Sequence, residues 1–290
     1  MPDEPPGGGA MLLKGKPIAD EIRTRVAHDV VAIKGGGGSL KLVAIAVGEN
    51  EEAASYARMQ QKAAEALGID YELKQLPGDA SQSQLAEEIL ALNADPAATG
   101  VILQMPVPDQ IDRWAAQDLI AQRKDVDGVS AANLGSVLQN RWRLAPCTAL
   151  AAMALIEASE REIKGAEAVI VGRSEIVGKP VALMLMQRHA TPTICHTRTK
   201  DLAFHTRRAD ILVVAAGRPG VVTGAMIQPG ALVVDVGINY VDGKMVGDVE
   251  AESAQAVAGI LTPVPGGVGP VTAAVLMRNV VEARKWQSEG

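Results

Sequence analysis

Aromatic residues make up only 2% of this chain, so Ala, Val, Leu and Ile must fill its interior. Each aromatic side chain therefore needs a reason of its own to be present. The two cysteines, Cys147 and Cys195, are far apart and form no pair pattern. That excludes a disulfide framework and points to free thiols, as small buried fillers, in a reducing, cytoplasmic setting. The four histidines are scattered without metal-ligand spacing, so no metal is expected. No apolar run is long enough to cross a bilayer, and no signal peptide is expected. There is no block of Lys or Arg, and the net charge is −6, which argues against a nucleic-acid or membrane surface. The stretch from Met1 to Ala10 is rich in Pro and Gly and reads as a loose tail, with Met11 a second candidate start.

What is present is an alternation of apolar runs. At 290 residues and 48% hydrophobic, the chain has room for one large or two ordinary domains. Helical spacing covers 18–31 before the glycine run at 35–38. The run LKLVAIAV (40–47) is a buried-strand pattern, followed by a helix over 51–67 that Gly68 closes. A strand over 71–76, a helix over 82–92 and a strand over 100–103 continue the series. A second series has helices over 149–158 and 179–188, with strands at 168–171, 193–195, 211–215 and 231–236. Thr272 is expected to cap a final helix running to about Trp286. No fixed-period repeat is visible. The reading is an α/β protein of two domains, each with a parallel sheet and crossover helices, with a cleft between them. The first spans 11–148 with the final helix, 271–290, packing back onto it. The second spans 149–270 and is Rossmann-like.

The segment AVIVGRSEIVGKP (168–180) places Gly172, Ser174 and Gly178 between a strand and a helix. Small residues there admit a pyrophosphate, and the helix N-terminus attracts it. Arg173, Ile176 and Val177 complete the loop. The pattern is G-x-S-x-x-x-G, which a purely structural tight turn would also satisfy. The next strand ends in His196-Thr197-Arg198-Thr199, without the carboxylate that usually holds a ribose 2′-hydroxyl. Two arginines and two threonines suit a 2′-phosphate, hence NADP; a solvated surface charge is the plainer role for Arg198.

Several motifs occur together: YARMQQKA (56–63), GVILQMPVP (100–108), KDVDG (124–128), PCT (146–148), VGRSEIVGKP (171–180), DVGIN (235–239), MVGD (245–248) and TPVPGGVGP (262–270). In order and spacing they resemble the methylenetetrahydrofolate dehydrogenase/cyclohydrolase family, from about Met11 to the C-terminus. The resemblance implies a folate cleft between the domains and a homodimer through the nucleotide-domain sheet. Tyr56 would pack its ring against the folate, Gln104 would lie near the one-carbon unit, and Asp127 would hold the pterin. Pro265, Gly266, Gly267 and Val268 would flank the active site, and Ile238 would join the cofactor contacts. Each role has physical sense: a ring offers a platform to an aromatic ligand, and a carboxylate accepts paired N–H bonds. Taken alone, Tyr56 would read as a core aromatic and Asp127 as a cap in a turn.

One departure matters. The family's helix reads Tyr-x-x-x-Lys, the lysine being its principal acid/base candidate; here Gln60 stands four residues after Tyr56. Positions four apart share a helix face, so Gln60 should point where Tyr56 does. Arg58 and Lys62 lie two residues away from that position, a turn of roughly 200°, and cannot substitute. Thr99 and Ala149 are milder departures, from Asp and Pro. Hydride transfer from a methylene-tetrahydrofolate is driven by the substrate's own nitrogen lone pair and needs alignment. Hydrolysis of the methenyl product needs an activated water and a proton for the leaving nitrogen. A Gln amide does not titrate near neutral pH. The sequence therefore predicts an NADP-dependent dehydrogenase with weak or absent cyclohydrolase. Its rivals are a fully bifunctional enzyme, a catalytically silent folate- or nucleotide-binding subunit, and a dehydrogenase for an unrelated carbonyl substrate.

Overall fold

A computed structural model of the chain describes residues 9–289. Most of the expected loose tail, residues 1–8, lies outside that range. Ala10 does not belong to such a tail: it is buried, and its N–H donates to Gln255 O at 2.7 Å. By their contacts the residues fall into two compact units, one of 20–147 with 273–290, the other of 148–272 with the N-terminal residues through Ala19.

After β1 (Met11–Leu12) and α1 (Gly15–Gly35), strands and helices alternate through β2 (Lys41–Val47), α2 (Glu51–Ala66), β3 (Asp70–Leu76), α3 (Gln82–Ala94) and β4 (Gly100–Leu103). The short helices α4 (Arg113–Leu119) and α5 (Ala131–Leu138) follow. The three strands form a parallel sheet in the order β3-β2-β4. β2 is central and, from Leu42 to Val47, buried on both faces, in keeping with its continuously apolar sequence there. Val43, Ile45 and Val47 pack with Leu85, Ile89 and Leu92 of α3 and with Val101 and Leu103 of β4. Local signals agree with these elements. Asn50 caps α2 by accepting from Ala53 N, and Ser81 with Gln84 forms a capping box at the start of α3.

The second unit holds most of α6 (Cys147–Ala158), then β5 (Glu167–Val171), α7 (Gly178–Gln187), β6 (Thr191–Cys195), α8 (Leu202–Thr206), β7 (Ile211–Val214) and β8 (Leu232–Asp235). A hairpin of β9 (Asn239–Val241) and β10 (Lys244–Val246), then α9 (Ala251–Gln255) and β11 (Ile260–Leu261), complete it before α10 (Val268–Ser288). The sheet is parallel, in the order β1-β11-β8-β7-β5-β6. β1, which the sequence reading placed in the N-terminal domain, instead extends this sheet: Met11 pairs with Ile260 and Leu12 with Leu261. Two residues are too few to show a strand period, which hid β1 from the sequence.

Thr272 does not cap the last helix. α10 begins four residues earlier, at Val268, and Thr272 Oγ1 donates back to Val268 O at 3.2 Å. Pro270 sits in the first turn, where its missing N–H costs nothing. Among the described residues, no helix is long and apolar enough to cross a membrane.

Candidate active site

In the unit built on β3-β2-β4, α2 presents Tyr56 and Gln60 one turn apart. Gln60 is 6% exposed and Tyr56 43%, whereas Arg58 and Lys62 both lie exposed on other faces of the helix. β4 ends beside β2, where Gln104 N donates to Ile45 O at 2.8 Å. The Gln104 side chain is buried and donates Nε2–H to Gln60 Oε1 at 2.6 Å. Tyr71, from β3, donates its hydroxyl to the same oxygen at 3.4 Å. Two donors thus converge on the Gln60 carbonyl. Its amide N–H groups are the rest of its hydrogen-bonding capacity, and the side chain also bonds the Tyr56 hydroxyl, which opposes the rise of that phenol. Tyr71 was not singled out from the sequence, although it is one of only three tyrosines and its phenol is pushed up to about 12 by burial.

The KDVDG segment divides its labour. Lys124 is buried and donates Nζ to Leu92 O at 2.8 Å and Asp95 O at 2.5 Å, tying down the loop below. Asp125 is fully buried. Its carboxylate accepts from Gly128 N (2.9 Å), Val129 N (3.3 Å), Ser130 N (2.9 Å) and Asn133 Nδ2 (2.8 Å). The turn-capping role therefore belongs to Asp125. Gly128 has φ +74°, and a Cβ there would stand 2.2 Å from Ala145 C, so the segment closes tightly over 145–147.

Asp127 takes no share in that turn. Burial and then the neighbouring Asp125 carboxylate push its pKa up to about 6, against a lowering contribution from the Cys147 thiol. The Tyr56 phenol is pushed well above its ordinary value, first by burial of its hydroxyl and then by the charge of Asp127. Its ring, by contrast, remains partly open. These mutual influences bring Tyr56, Gln60, Gln104, Asp127 and Cys147 into one cluster. Asn279 of α10, also unremarked in the sequence, supports it by donating to Val126 O (2.9 Å), Ala145 O (3.2 Å) and Cys147 Sγ (3.4 Å). Burial raises the Cys147 thiol well above its usual range, which keeps it protonated and unreactive.

The loop from β5 to α7 in the other unit is shaped by close backbone approach. Gly172 has φ +129°, and a Cβ there would lie 2.1 Å from Ala215 O. Ser174 Oγ accepts from Val177 N at 3.2 Å and Gly178 N at 3.4 Å, capping the first turn of α7. Val177 is itself buried, so its side chain is packing rather than display, while Arg173 and Ile176 are exposed. After β6, His196 N donates to Thr199 Oγ1 at 2.8 Å and Arg198 N to His196 Nδ1 at 3.1 Å. This closed turn leaves Thr197 and Arg198 outside it, both exposed. Ile238 follows β8 and is 58% exposed. Pro265 is exposed, whereas Gly267 and Val268 are buried, Val268 as the first residue of α10. Gly15 N donates to Gly266 O at 2.8 Å and fixes that loop.

Exposed guanidiniums at the carboxyl ends of β5 and β6, beside a glycine-walled loop entering a helix, are the donor set for a phosphorylated dinucleotide. Residues 146–288 match the family model described as the tetrahydrofolate dehydrogenase/cyclohydrolase NAD(P)-binding domain, and residues 13–127 match that family's catalytic domain. A "Bifunctional protein FolD" from Moorella thermoacetica is 49% identical over 277 residues, covering 95% of this chain and 99% of that protein. The crystal structure of the bifunctional FolD methylenetetrahydrofolate dehydrogenase/cyclohydrolase from Campylobacter jejuni superposes with a TM-score of 0.92 at 38% identity, over 95% of this chain and 99% of the other. The Trypanosoma brucei N5,N10-methylenetetrahydrofolate dehydrogenase-cyclohydrolase, solved with NADP and an inhibitor, gives 0.91 at 35% identity over 97% and 99%. Both of its domains and nearly its whole length thus agree: this chain belongs to the tetrahydrofolate dehydrogenase/cyclohydrolase family.

Proposed function

We propose that this protein is an NADP-dependent methylenetetrahydrofolate dehydrogenase of one-carbon metabolism whose methenyltetrahydrofolate cyclohydrolase step is weak. The observation that carries the reading is the Gln60 amide, locked by Gln104 and Tyr71 in the cluster that holds Tyr56 and Asp127. Tyr56 offers its exposed ring as a platform for the pterin. Asp127, ionised at neutral pH and unused by its own loop, accepts the pterin's N–H groups. Gln60 and Gln104 donate hydrogen bonds and orient the one-carbon unit without exchanging protons. Gly172, Arg173, Ser174, Ile176, Gly178, Thr197, Arg198 and Ile238 hold the cofactor, with Val177 packed behind the loop and Arg173 and Arg198 facing the phosphates. Bound NADP supplies the hydride acceptor. Pro265, Gly266, Gly267 and Val268 line the loop beside it.

Dehydrogenation asks the protein for alignment, which an amide provides. Hydrolysis asks for a titrating group at the leaving nitrogen, which an amide does not provide. NADPH formation followed spectrophotometrically with and without methylene-tetrahydrofolate tests the first half; no substrate-dependent NADPH would leave a silent binding subunit as the reading.

A fully bifunctional enzyme is the second reading, and one observation favours it. Asp127, near 6, is a titratable group inside the cluster and could hand protons to a water in place of the lysine. The relatives' names as bifunctional proteins point the same way. We also read the protein as a homodimer through the second sheet. Its edge strand β6 leaves Ile194 exposed and its outer backbone groups unpaired by any other strand of the sheet. Light scattering behind size exclusion, with Ile194→Lys as the interface variant, tests that assembly.

A further inference from the structure

The loops at the carboxyl ends of β7 and β8 are held by a residue to which no role is assigned above. Asp248 is fully buried and receives four donors. Its Oδ2 accepts from Ala216 N at 2.6 Å and Gly217 N at 2.8 Å, and its Oδ1 from Arg218 N at 2.9 Å and Asn239 Nδ2 at 2.8 Å. Three successive backbone N–H groups from one loop and a side-chain amide from the next meet on a single carboxylate. A second buried carboxylate anchors the anchor. Asp235 accepts from Gly237 N (3.0 Å), Asp248 N (3.0 Å) and Val249 N (2.9 Å).

These loops neighbour the nucleotide loop directly. β8, β7 and β5 are adjacent in the sheet, and Gly172 approaches Ala215 so closely that no side chain fits between them. Ile238, the exposed cofactor candidate, stands between Gly237, held by Asp235, and Asn239, held by Asp248. In parallel sheets of this kind the ligand lies across the carboxyl ends of such strands. A loop of consecutive N–H groups would fold back or stay mobile unless an acceptor gathered it.

We propose that Asp248 is a positioning residue of the cofactor site, clamping loops 216–218 and 237–239 in the shape the dinucleotide requires. The proposal rests on the reading that this unit binds NADP. A carboxylate is needed because every partner is a donor; Asn would turn an N–H₂ toward backbone N–H groups. Asp248→Asn should raise the dissociation constant for NADP about tenfold or more, the effect of losing charge-assisted hydrogen bonds. The KM for methylene-tetrahydrofolate should stay within about twofold, because the folate residues are elsewhere. Asn239→Ala, which removes one of the four donors, should weaken NADP in the same direction by less, and keeps the test available if Asp248→Asn does not fold. Val213→Ala, a buried truncation in β7 whose side chain makes none of these hydrogen bonds, should lower Tm and leave NADP affinity unchanged.

The measurement is calorimetric titration of the full chain with NADP, beside thermal unfolding of each variant. NADP affinity equal to wild type in Asp248→Asn or Asn239→Ala overturns the proposal. So does a Val213→Ala variant that loses as much affinity for the same loss in Tm. Absence of NADP binding in the wild type overturns instead the reading on which the proposal rests.

Discussion

The two candidate binding regions are built on opposite plans. Around Gln60, side chains reach one another: Gln104 and Tyr71 donate to its carbonyl, and burial with neighbouring charge shifts Tyr56 and Asp127. Around Gly172, the backbone is fixed by Ser174, Asp248 and close glycine packing, while Arg173, Thr197 and Arg198 stand in solvent. The first plan suits a site that must tune proton affinity, since burial shifts titrations. The second suits a site that recognises charge, since exposed guanidiniums bind phosphate without changing their own state. Substitutions should therefore be coupled in the first region and close to independent in the second.

The largest expected effect tests the tuned region. Gln60→Lys should raise methenyl-tetrahydrofolate hydrolysis by about 10²–10⁴-fold, the usual worth of general acid/base assistance. Dehydrogenase activity should change far less. A lysine variant with unaltered hydrolysis would show that the surroundings no longer tune an ammonium.

Next is the contrast between the two carboxylates of KDVDG. Asp125→Ala strands three backbone N–H groups and the Asn133 amide in a buried place, and should destabilise the protein by about 3 kcal/mol or more in denaturant unfolding. Asp127→Asn should do the reverse at neutral pH. A folded pKa raised to about 6 means that Asp127 favours the folded state when protonated. That contribution is fully present below the unfolded value near 4 and is lost as pH rises through 6. The Asn variant should therefore gain Tm relative to wild type at pH 7.5 and show no gain near pH 4. Folate binding runs with the opposite sign, because it uses the carboxylate: wild-type affinity should fall as pH drops below 6, and Asp127→Asn should flatten that profile. A flat wild-type profile would remove Asp127 from the folate contacts.

In the charge-recognising region, Arg173→Ala should cost roughly 1.5–3 kcal/mol of NADP binding and much less of NAD binding. Equal losses would show that Arg173 does not read the 2′-phosphate. The smallest effect is Tyr56→Ala, about 1 kcal/mol of folate affinity beyond its area term. Combined with Gln104→Ala it should depart from additivity, whereas Arg173→Ala with Arg198→Ala should add.

The same contrast explains what the sequence made legible. Buried parallel strands announce themselves, so LKLVAIAV and GVIL were readable, as was the glycine loop after β5. That Tyr56 and Gln60 share a face follows from helix geometry once the resemblance has singled them out. Interactions between side chains distant in sequence left no local mark: Tyr71 reaches Gln60 across 11 residues, and Asn279 reaches Val126 across 153. The choice between Asp125 and Asp127 had only the resemblance behind it, since both satisfy a turn. One missed element did leave a signal. Tyr-Val-Asp-Gly-Lys at 240–244 is a hairpin sequence, and Asp242 and Gly243 both take positive φ, 51° and 73°, as a two-residue turn demands.

The central claim is that an amide at position 60 separates oxidation from hydrolysis. Following NADPH and methenyl-tetrahydrofolate together, at two wavelengths in one cuvette, tests it most directly. The account predicts that methenyl-tetrahydrofolate accumulates nearly in step with NADPH in the wild type and that Gln60→Lys drains it. Rapid disappearance of the methenyl product in the wild type, at a rate unchanged by Gln60→Ala, would contradict it and assign the proton work to another group.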